Sequence, residues 1–276
     1  MYNLLPSLAA LAGLVPAVLV GLLMPAGRAP LRPDRRVWGA LALGIAAPML
    51  WTAIQVAGTW RTGLSTALWA SIAACMALFT LLAGWRAPVW RLAPLFLPYM
   101  AVMAVLATIT AESPDPRLGR VAPSFWIDSH IVVSVTTYGL LTLAAIAALA
   151  GFLQDRALKA KRPTALTRAL PPVAESERLQ VFLLTASEFV LGVGVLTGVT
   201  VLYFERGTLL RLDHKILLSS LAFVLIGCLL IAHRATGVGG RTVARLVLVA
   251  YLLITLAYPG VKFVTDIVLS RPVAFD

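Results

Sequence analysis

The sequence predicts an all-α bundle of about eight transmembrane helices. Apolar residues make up 60% of the 276 positions, charged residues make up 13%, and the mean hydropathy is +0.90. A water-exposed surface cannot cover so apolar a chain, and a bilayer core about 30 Å thick needs about 20 apolar residues per helix. We therefore expect one integral membrane domain over residues 1–276, with no separate soluble domain.

Eight apolar segments justify this helix count, with an uncertainty of one because the seventh is short. They cover residues 4–24, 37–57, 64–84, 92–110, 130–153, 180–204, 216–231 and 243–268. No basic residue precedes the first segment, which favours a retained helix over a cleaved signal. The chain has no repeat and no glycine-rich phosphate loop, so the sequence gives nucleotide hydrolysis no support.

The basic residues predict the orientation of these helices. Of the 23 Lys and Arg residues, 15 fall on loops at one side of the membrane and 7 on the other. Short loops rich in Lys and Arg stay in the cytoplasm, so we expect a multi-pass protein of the bacterial inner membrane with both termini in the periplasm. The net charge of +11 then reflects topology and attraction to anionic lipid, and it does not indicate nucleic-acid binding.

The three histidines are the candidate metal or haem ligands. His130 and His214 are expected at the outer ends of the fifth and seventh helices, and His233 at the inner end of the seventh. Two imidazoles on one haem iron hold their nitrogens about 4 Å apart. His130 and His214 satisfy this if their helices are adjacent, whereas His233 lies about 28 Å further along the same helix. The alternative for each is an interfacial histidine bonded to water and a loop carbonyl.

Two predicted helices carry faces that we expect to pack inside the bundle. On the fifth helix, Ser134, Thr137 and Tyr138 follow His130 at helical spacing, and lipid would not solvate such a polar face. On the sixth helix, Gly194 to Gly198 has GxxxG spacing, which favours close helix packing within the bundle. The His130 face is therefore predicted to point inward.

Ionisable residues inside the membrane are costly and indicate partners or cavities. Glu188 is predicted two turns into the sixth helix, where it could pair with a cation, carry protons or contact His233 or Arg234. A hydrogen bond to a hydroxyl of a neighbouring helix is the alternative. Lys262 and Asp266 are four residues apart, which favours an intrahelical pair over a pore.

The stretch FWIDSHIVVS at residues 125–134, continuing to Thr137, Tyr138 and Gly139, resembles the histidine-led helix of the CcsA/HemX cytochrome c assembly family. Further stretches resemble its shorter, eight-helix YpjD-like branch. They are residues 170–172, 177–178, 194–198, 214–219, 237–241 and 256–263. The resemblance covers a cytochrome c assembly-like region at 126–269, while the N-terminal helices at 1–110 match only in kind.

The resemblance implies haem handling near the outer face, with haem b as the expected cofactor and other cytochrome c assembly proteins as possible partners. His130 matches the first external histidine of the family and is the expected axial ligand of the haem iron. His233 matches a histidine near the end of the helix after the WWD loop, and His214 has no firm counterpart. His214 is the candidate second ligand, and His233 could mark an inner site.

Two departures from the family pattern argue against synthetase or lyase activity. The loop at 205–211, where the WWD motif should fall, contains no tryptophan, and no histidine follows the last helix. We therefore expect a non-enzymatic protein that binds or presents haem. A non-haem accessory subunit is one alternative. A small-solute or ion transporter that uses Glu188 and Lys262 is another, although paired broken helices are missing from the sequence pattern.

Overall fold

The structure is a computed structural model that describes residues 3–24, 34–57, 63–111, 124–207, 214–237, 240–260 and 263–264. Within these ranges the chain forms α-helices and no strand, which confirms the all-α prediction. Six described helices are long and apolar enough to cross a membrane, and two more apolar helices are shorter. The chain is thus a polytopic membrane protein.

Each predicted segment corresponds to one helix. The long helices are α1 (Leu4–Leu22), α2 (Arg35–Val56), α3 (Leu64–Trp85), α5 (Ala93–Ile109), α6 (Ser124–Lys159), α8 (Val173–Arg206), α9 (His214–Thr236) and α10 (Gly240–Thr255). Two short helices, α4 (Ala87–Trp90) and α7 (Ala165–Ala169), lie in connections, and a π-helical turn over Leu256–Gly260 continues α10.

Helices α6 and α8 are longer than the apolar segments that predicted them. Helix α6 begins six residues before His130 and continues to Lys159, and α8 begins at Val173 instead of residue 180. The apolar pattern marks only the lipid-embedded part of a helix, whereas the backbone hydrogen bonds continue into polar sequence. An Asp155 to Lys159 ion pair of 3.0 Å, one helical turn apart, supports the extension of α6.

The long helices pack as two groups of four. The N-terminal bundle contains α1, α2, α3 and α5, and the C-terminal bundle contains α6, α8, α9 and α10. In the C-terminal bundle α6 packs on α8 and α10, and α9 packs on the same two helices, so α6 and α9 lie on a diagonal. Helix α3 packs against α6 and joins the two bundles.

Large side chains fill the N-terminal bundle. Phe79 on α3 stacks on Phe96 on α5 with ring centroids 4.5 Å apart, and Trp90 lies 6.4 Å from Phe79. All three side chains are fully buried. A Cβ on Gly44 of α2 would lie 3.0 Å from the Met76 side chain, so this glycine lets α2 approach α3 closely.

Three tyrosine hydroxyls meet where the two bundles join. The Tyr138 hydroxyl on α6 lies 3.2 Å from that of Tyr99 on α5 and 3.1 Å from that of Tyr251 on α10. Tyr99 and Tyr251 are also hydrogen-bonded to each other. A phenol both donates and accepts, so three can close a ring of hydrogen bonds. Tyr138 is buried, as the predicted inward face of α6 requires.

The connection between α6 and α8 fixes the start of α8. Thr164 and Thr167 form a capping box at the N-terminus of α7. The Gln154 side chain on α6 donates to the carbonyls of Thr167 at 2.6 Å and of Leu170 and Pro171 at 3.2 Å. Because Leu170 and Pro171 lie just before α8, the contacts hold α7 and the start of α8 against α6.

Candidate functional site

The candidate site lies on the seam between α6 and α8, where glycines let the antiparallel helices approach. A Cβ on Gly194 would lie 3.3 Å from Val133, and a Cβ on Gly198 would lie 3.0 Å from the His130 ring. At the other end of the seam, a Cβ on Gly151 would lie 3.3 Å from Ser176. The predicted packing face at Gly194 and Gly198 is therefore present, and it packs against the His130 helix.

His130 is held at this seam by contacts from α8. It is half-buried and lies about 9 Å along α6 from the first residue of that helix. Its Nδ1 is 3.1 Å from the Thr197 hydroxyl oxygen, and that hydroxyl donates to the Gly194 carbonyl at 3.1 Å. The ring also rests on Gly198, so hydrogen bonding and close packing both orient the imidazole.

The structure places His214 at the first residue of α9, at the same end of the C-terminal bundle as His130. Its side chain lies outside the described residues. Helices α6 and α9 were expected to be adjacent if His130 and His214 share one iron. In the structure both pack on α8 and α10, so α6 and α9 lie diagonally across the bundle. Helix bundles build cofactor sites in their cores from side chains on facing helices. Ligation by His214 stays a prediction.

His233 lies near the opposite end of α9, about 28 Å from His214 along the helix. One continuous helix carries both residues, so the separation expected from the sequence holds in the fold. The His233 side chain is half-buried. His130 and His233 are thus at opposite ends of the C-terminal bundle, and a separate site at His233 stays a prediction.

Glu188 lies deeper than the sequence suggested, about four turns into α8, because that helix starts at Val173. Its Oε1 is 3.1 Å from the position that a Cβ on Gly227 of α9 would take. Its Oε2 is buried without a hydrogen-bond partner among the described residues. His233 follows Gly227 by six residues on α9, about 9 Å along the axis. The Glu188 carboxyl therefore lies against the backbone of α9 at Gly227.

Two predicted features fall wholly or partly outside the described residues. Lys262 and Asp266 lie beyond them, so their pairing stays a prediction. In the loop expected to carry the WWD motif, α8 continues to Arg206 and ends at Gly207, whose φ of +67° is the left-handed conformation that glycine adopts readily. The rest of that loop is outside the described residues.

Sequence reasoning missed the role of Thr197 and assigned Gly198 to packing alone. Thr197 contacts His130 across 67 residues of chain. The one available signal was position, since Thr197 directly precedes the second glycine of the GxxxG face. The Thr197 hydroxyl contacts a side chain of the helix that packs on this face. The sequence does not specify which helix packs there, so it did not identify His130 as the partner.

Residues 63–269 match the family model described as Cytochrome C assembly protein. The match begins at α3, well before the region at 126–269 that carries the recognisable stretches. A protein of Azospirillum brasilense, titled "Uncharacterized 28.8 kDa protein in nifR3-like 5'region", is 58% identical over 268 residues, which cover 97% of this chain and 99% of that protein. No solved structure matches. The chain belongs to the cytochrome c assembly protein family, and this membership supports a role in cytochrome c biogenesis.

Proposed function

We propose that the protein binds haem through His130 and presents it for cytochrome c assembly. The observation that carries the proposal is the fixed imidazole, with Nδ1 on Thr197 and its ring on Gly198. Imidazole is a common axial ligand of haem iron. Histidines that bind metals usually have their second nitrogen hydrogen-bonded to a neighbouring group, which orients the ring. His130 is therefore a donor of the type that haem iron binds, and its ring is already oriented.

We further propose that the His130 end of the bundle faces the periplasm of a bacterial inner membrane. The excess of Lys and Arg on the opposite loops supports this orientation, which also puts both termini in the periplasm. Haem b held there would be cargo, available for attachment to an apocytochrome. In this arrangement His130 would hold the haem iron, and His214 is the proposed second ligand.

The proposed role is non-enzymatic. The sequence from 205 to 211 has no tryptophan, and no histidine follows the last helix. Without the WWD tryptophans and the second external histidine, the chain lacks the sequence features that the family uses for synthetase activity. It retains His130 as the proposed iron ligand. We therefore propose binding and presentation of haem, with thioether formation performed by another protein.

The decisive experiment is a visible absorption spectrum of the protein purified in mild detergent from haem-replete cells, oxidised and then reduced with dithionite. We expect a Soret band and sharp reduced α and β bands, all lost in His130→Ala. His233→Ala is the matched control, because it removes a histidine at the opposite end of the same bundle and should keep the spectrum.

Two outcomes contradict the proposal. Loss of the spectrum in His233→Ala, with His130→Ala unchanged, would move the site to the other end of α9. A colourless protein that cannot be loaded with haemin would exclude haem binding and favour a non-haem accessory subunit of another membrane complex.

A transporter of small solutes or ions is the second candidate, and one observation favours it. Glu188 carries a buried oxygen without a partner among the described residues, inside a membrane-spanning helix. If the carboxyl carries protons or ions, Glu188→Gln should abolish flux into proteoliposomes while leaving the fold intact. Unchanged flux would remove Glu188 from any transport mechanism.

A further inference from the structure

We propose that Thr197 fixes the tautomer of His130, so that Nδ1 carries the proton and the lone pair of Nε2 is offered to the iron. Thr197 is then a positioning residue for the metal-binding nitrogen. The consequence for haem rests on the proposed function. The tautomer itself is a property of the chain without haem, and it can be tested separately.

The hydrogen-bond inventory around Thr197 distinguishes the two neutral tautomers. The hydroxyl has one proton and lies 3.1 Å from both the Gly194 carbonyl and His130 Nδ1. The His130 ring also forms a hydrogen bond with the Gly194 backbone. A carbonyl can only accept, so the hydroxyl proton satisfies the contact between Thr197 and Gly194. The hydroxyl oxygen can then accept a proton from Nδ1–H, and both contacts become hydrogen bonds.

The opposite tautomer leaves one of the two Thr197 contacts without a proton. If Nδ1 is unprotonated, the single hydroxyl proton serves either the ring or the Gly194 carbonyl, and the other contact lacks a proton. A lost hydrogen bond is costly in a partly buried, low-dielectric site because water does not replace it freely. The Nδ1–H form is therefore favoured by the geometry of α8.

Gly198 sets the ring position that makes this contact possible. A Cβ at residue 198 would lie 3.0 Å from Cε1, 3.4 Å from Nδ1 and 3.8 Å from Nε2 of His130. The ring thus rests on the helix backbone, and of these three atoms Nε2 is the farthest from it. A methyl group at residue 198 would force the ring to shift, and the Thr197 contact with it.

The first test is nitrogen-15 NMR of histidine-labelled protein without haem, at a pH where His130 is neutral. The His130 signals are assigned by their loss in His130→Ala. We expect the Nδ1–H tautomer to predominate. Thr197→Val should weaken that preference, because only the Gly194 backbone contact then remains, and Thr197→Ser should restore it by returning the hydroxyl.

Thr200→Val is the matched control. Thr200 lies one turn further along α8, is half-buried, and bonds the Leu196 carbonyl at 2.9 Å. Its replacement should leave the tautomer of His130 unchanged. A predominant Nε2–H form in the unmodified protein, or an unchanged ratio in Thr197→Val, would overturn the proposal.

The second test is the midpoint potential of haem-loaded protein. A hydrogen bond from Nδ1–H raises the basicity of the iron-bound nitrogen and so stabilises ferric iron. Thr197→Val should therefore shift the potential to a more positive value at unchanged haem stoichiometry, while Thr200→Val leaves it unchanged. An unchanged potential in Thr197→Val would contradict the role of Thr197 toward iron.

The tautomer inference and the proposed haem function can fail independently. If the protein binds no haem but NMR gives Nδ1–H with the expected response to Thr197→Val, the tautomer inference stands and the proposed function fails. If haem binds through His130 and NMR gives Nε2–H, the proposed function stands and the tautomer inference fails.

Discussion

The two bundles of this protein differ in how many large side chains they bury fully, although close glycine contacts occur in both. Among the described residues, eleven of the twelve largest fully buried side chains lie between Leu14 and Met100, and the twelfth is Leu141 on α6. The N-terminal bundle is thus filled by interlocking aromatic and large aliphatic side chains. In the C-terminal bundle, α6 and α8 approach over glycines that face Ser176, Val133 and His130.

This difference indicates which kind of helix packing can accommodate a polar binding site inside a membrane bundle. Lipid is as apolar as leucine, so transmembrane helices associate through close packing and hydrogen bonds. A bundle filled by large side chains gains dispersion contacts but leaves little space for polar groups near its axis. A glycine seam lets a polar ring lie on a neighbouring backbone. We therefore expect stability to depend most on the first bundle and the site on the second.

The largest expected effect is loss of a core aromatic from the N-terminal bundle. Phe79→Ala removes a fully buried ring in contact with Phe96 and should destabilise the fold by about 3–5 kcal/mol. Leu81→Ala on the same helix is the control, because Leu81 is 70% exposed. Unfolding in detergent measures both. If the bundles have separate roles, the Phe79→Ala protein that stays folded should keep its haem spectrum.

A smaller loss of stability is expected when a methyl group is added where α1 and α2 pack closely. A Cβ on Gly13 of α1 would overlap the Cβ of Ala47 on α2, so Gly13→Ala should destabilise by about 1–3 kcal/mol through forced separation of the helices. Gly39→Ala is the control, since nothing lies within 4 Å of its added Cβ. An equal melting temperature for the two variants would show that α1 and α2 are less tightly packed than their contacts imply.

The smallest effect is expected where the bundles meet. Tyr251→Phe removes one hydroxyl from the three-tyrosine cluster and should cost about 1 kcal/mol of stability. Tyr203→Phe is the control, because Tyr203 is exposed on α8. Thermal unfolding measures the stability, and the visible spectrum should stay unchanged. A large spectral change in Tyr251→Phe would mean that the cluster, about 12 Å along α6 from His130, is coupled to the site.

Hydropathy alone located all eight long helices of the structure. Each bilayer crossing requires about 20 apolar residues, and a helix satisfies all the backbone hydrogen bonds of such a segment within lipid. The ends of the helices were less predictable. Residues 124–129 of α6 and 173–179 of α8 are helical but outside the apolar segments. Apolarity reports contact with lipid, whereas helix continuation depends on caps and hydrogen bonds such as those of Gln154.

The sequence by itself determined the eight long helices, the inward face of α6 and the separation of His214 and His233 along one helix. Helical periodicity and residue spacing carry that information directly. Only the tertiary structure decided that His130 meets Thr197 and Gly198, and that α6 and α9 are diagonal. Periodicity fixes which face of a helix is buried, but the partner of that face depends on how all the helices pack together.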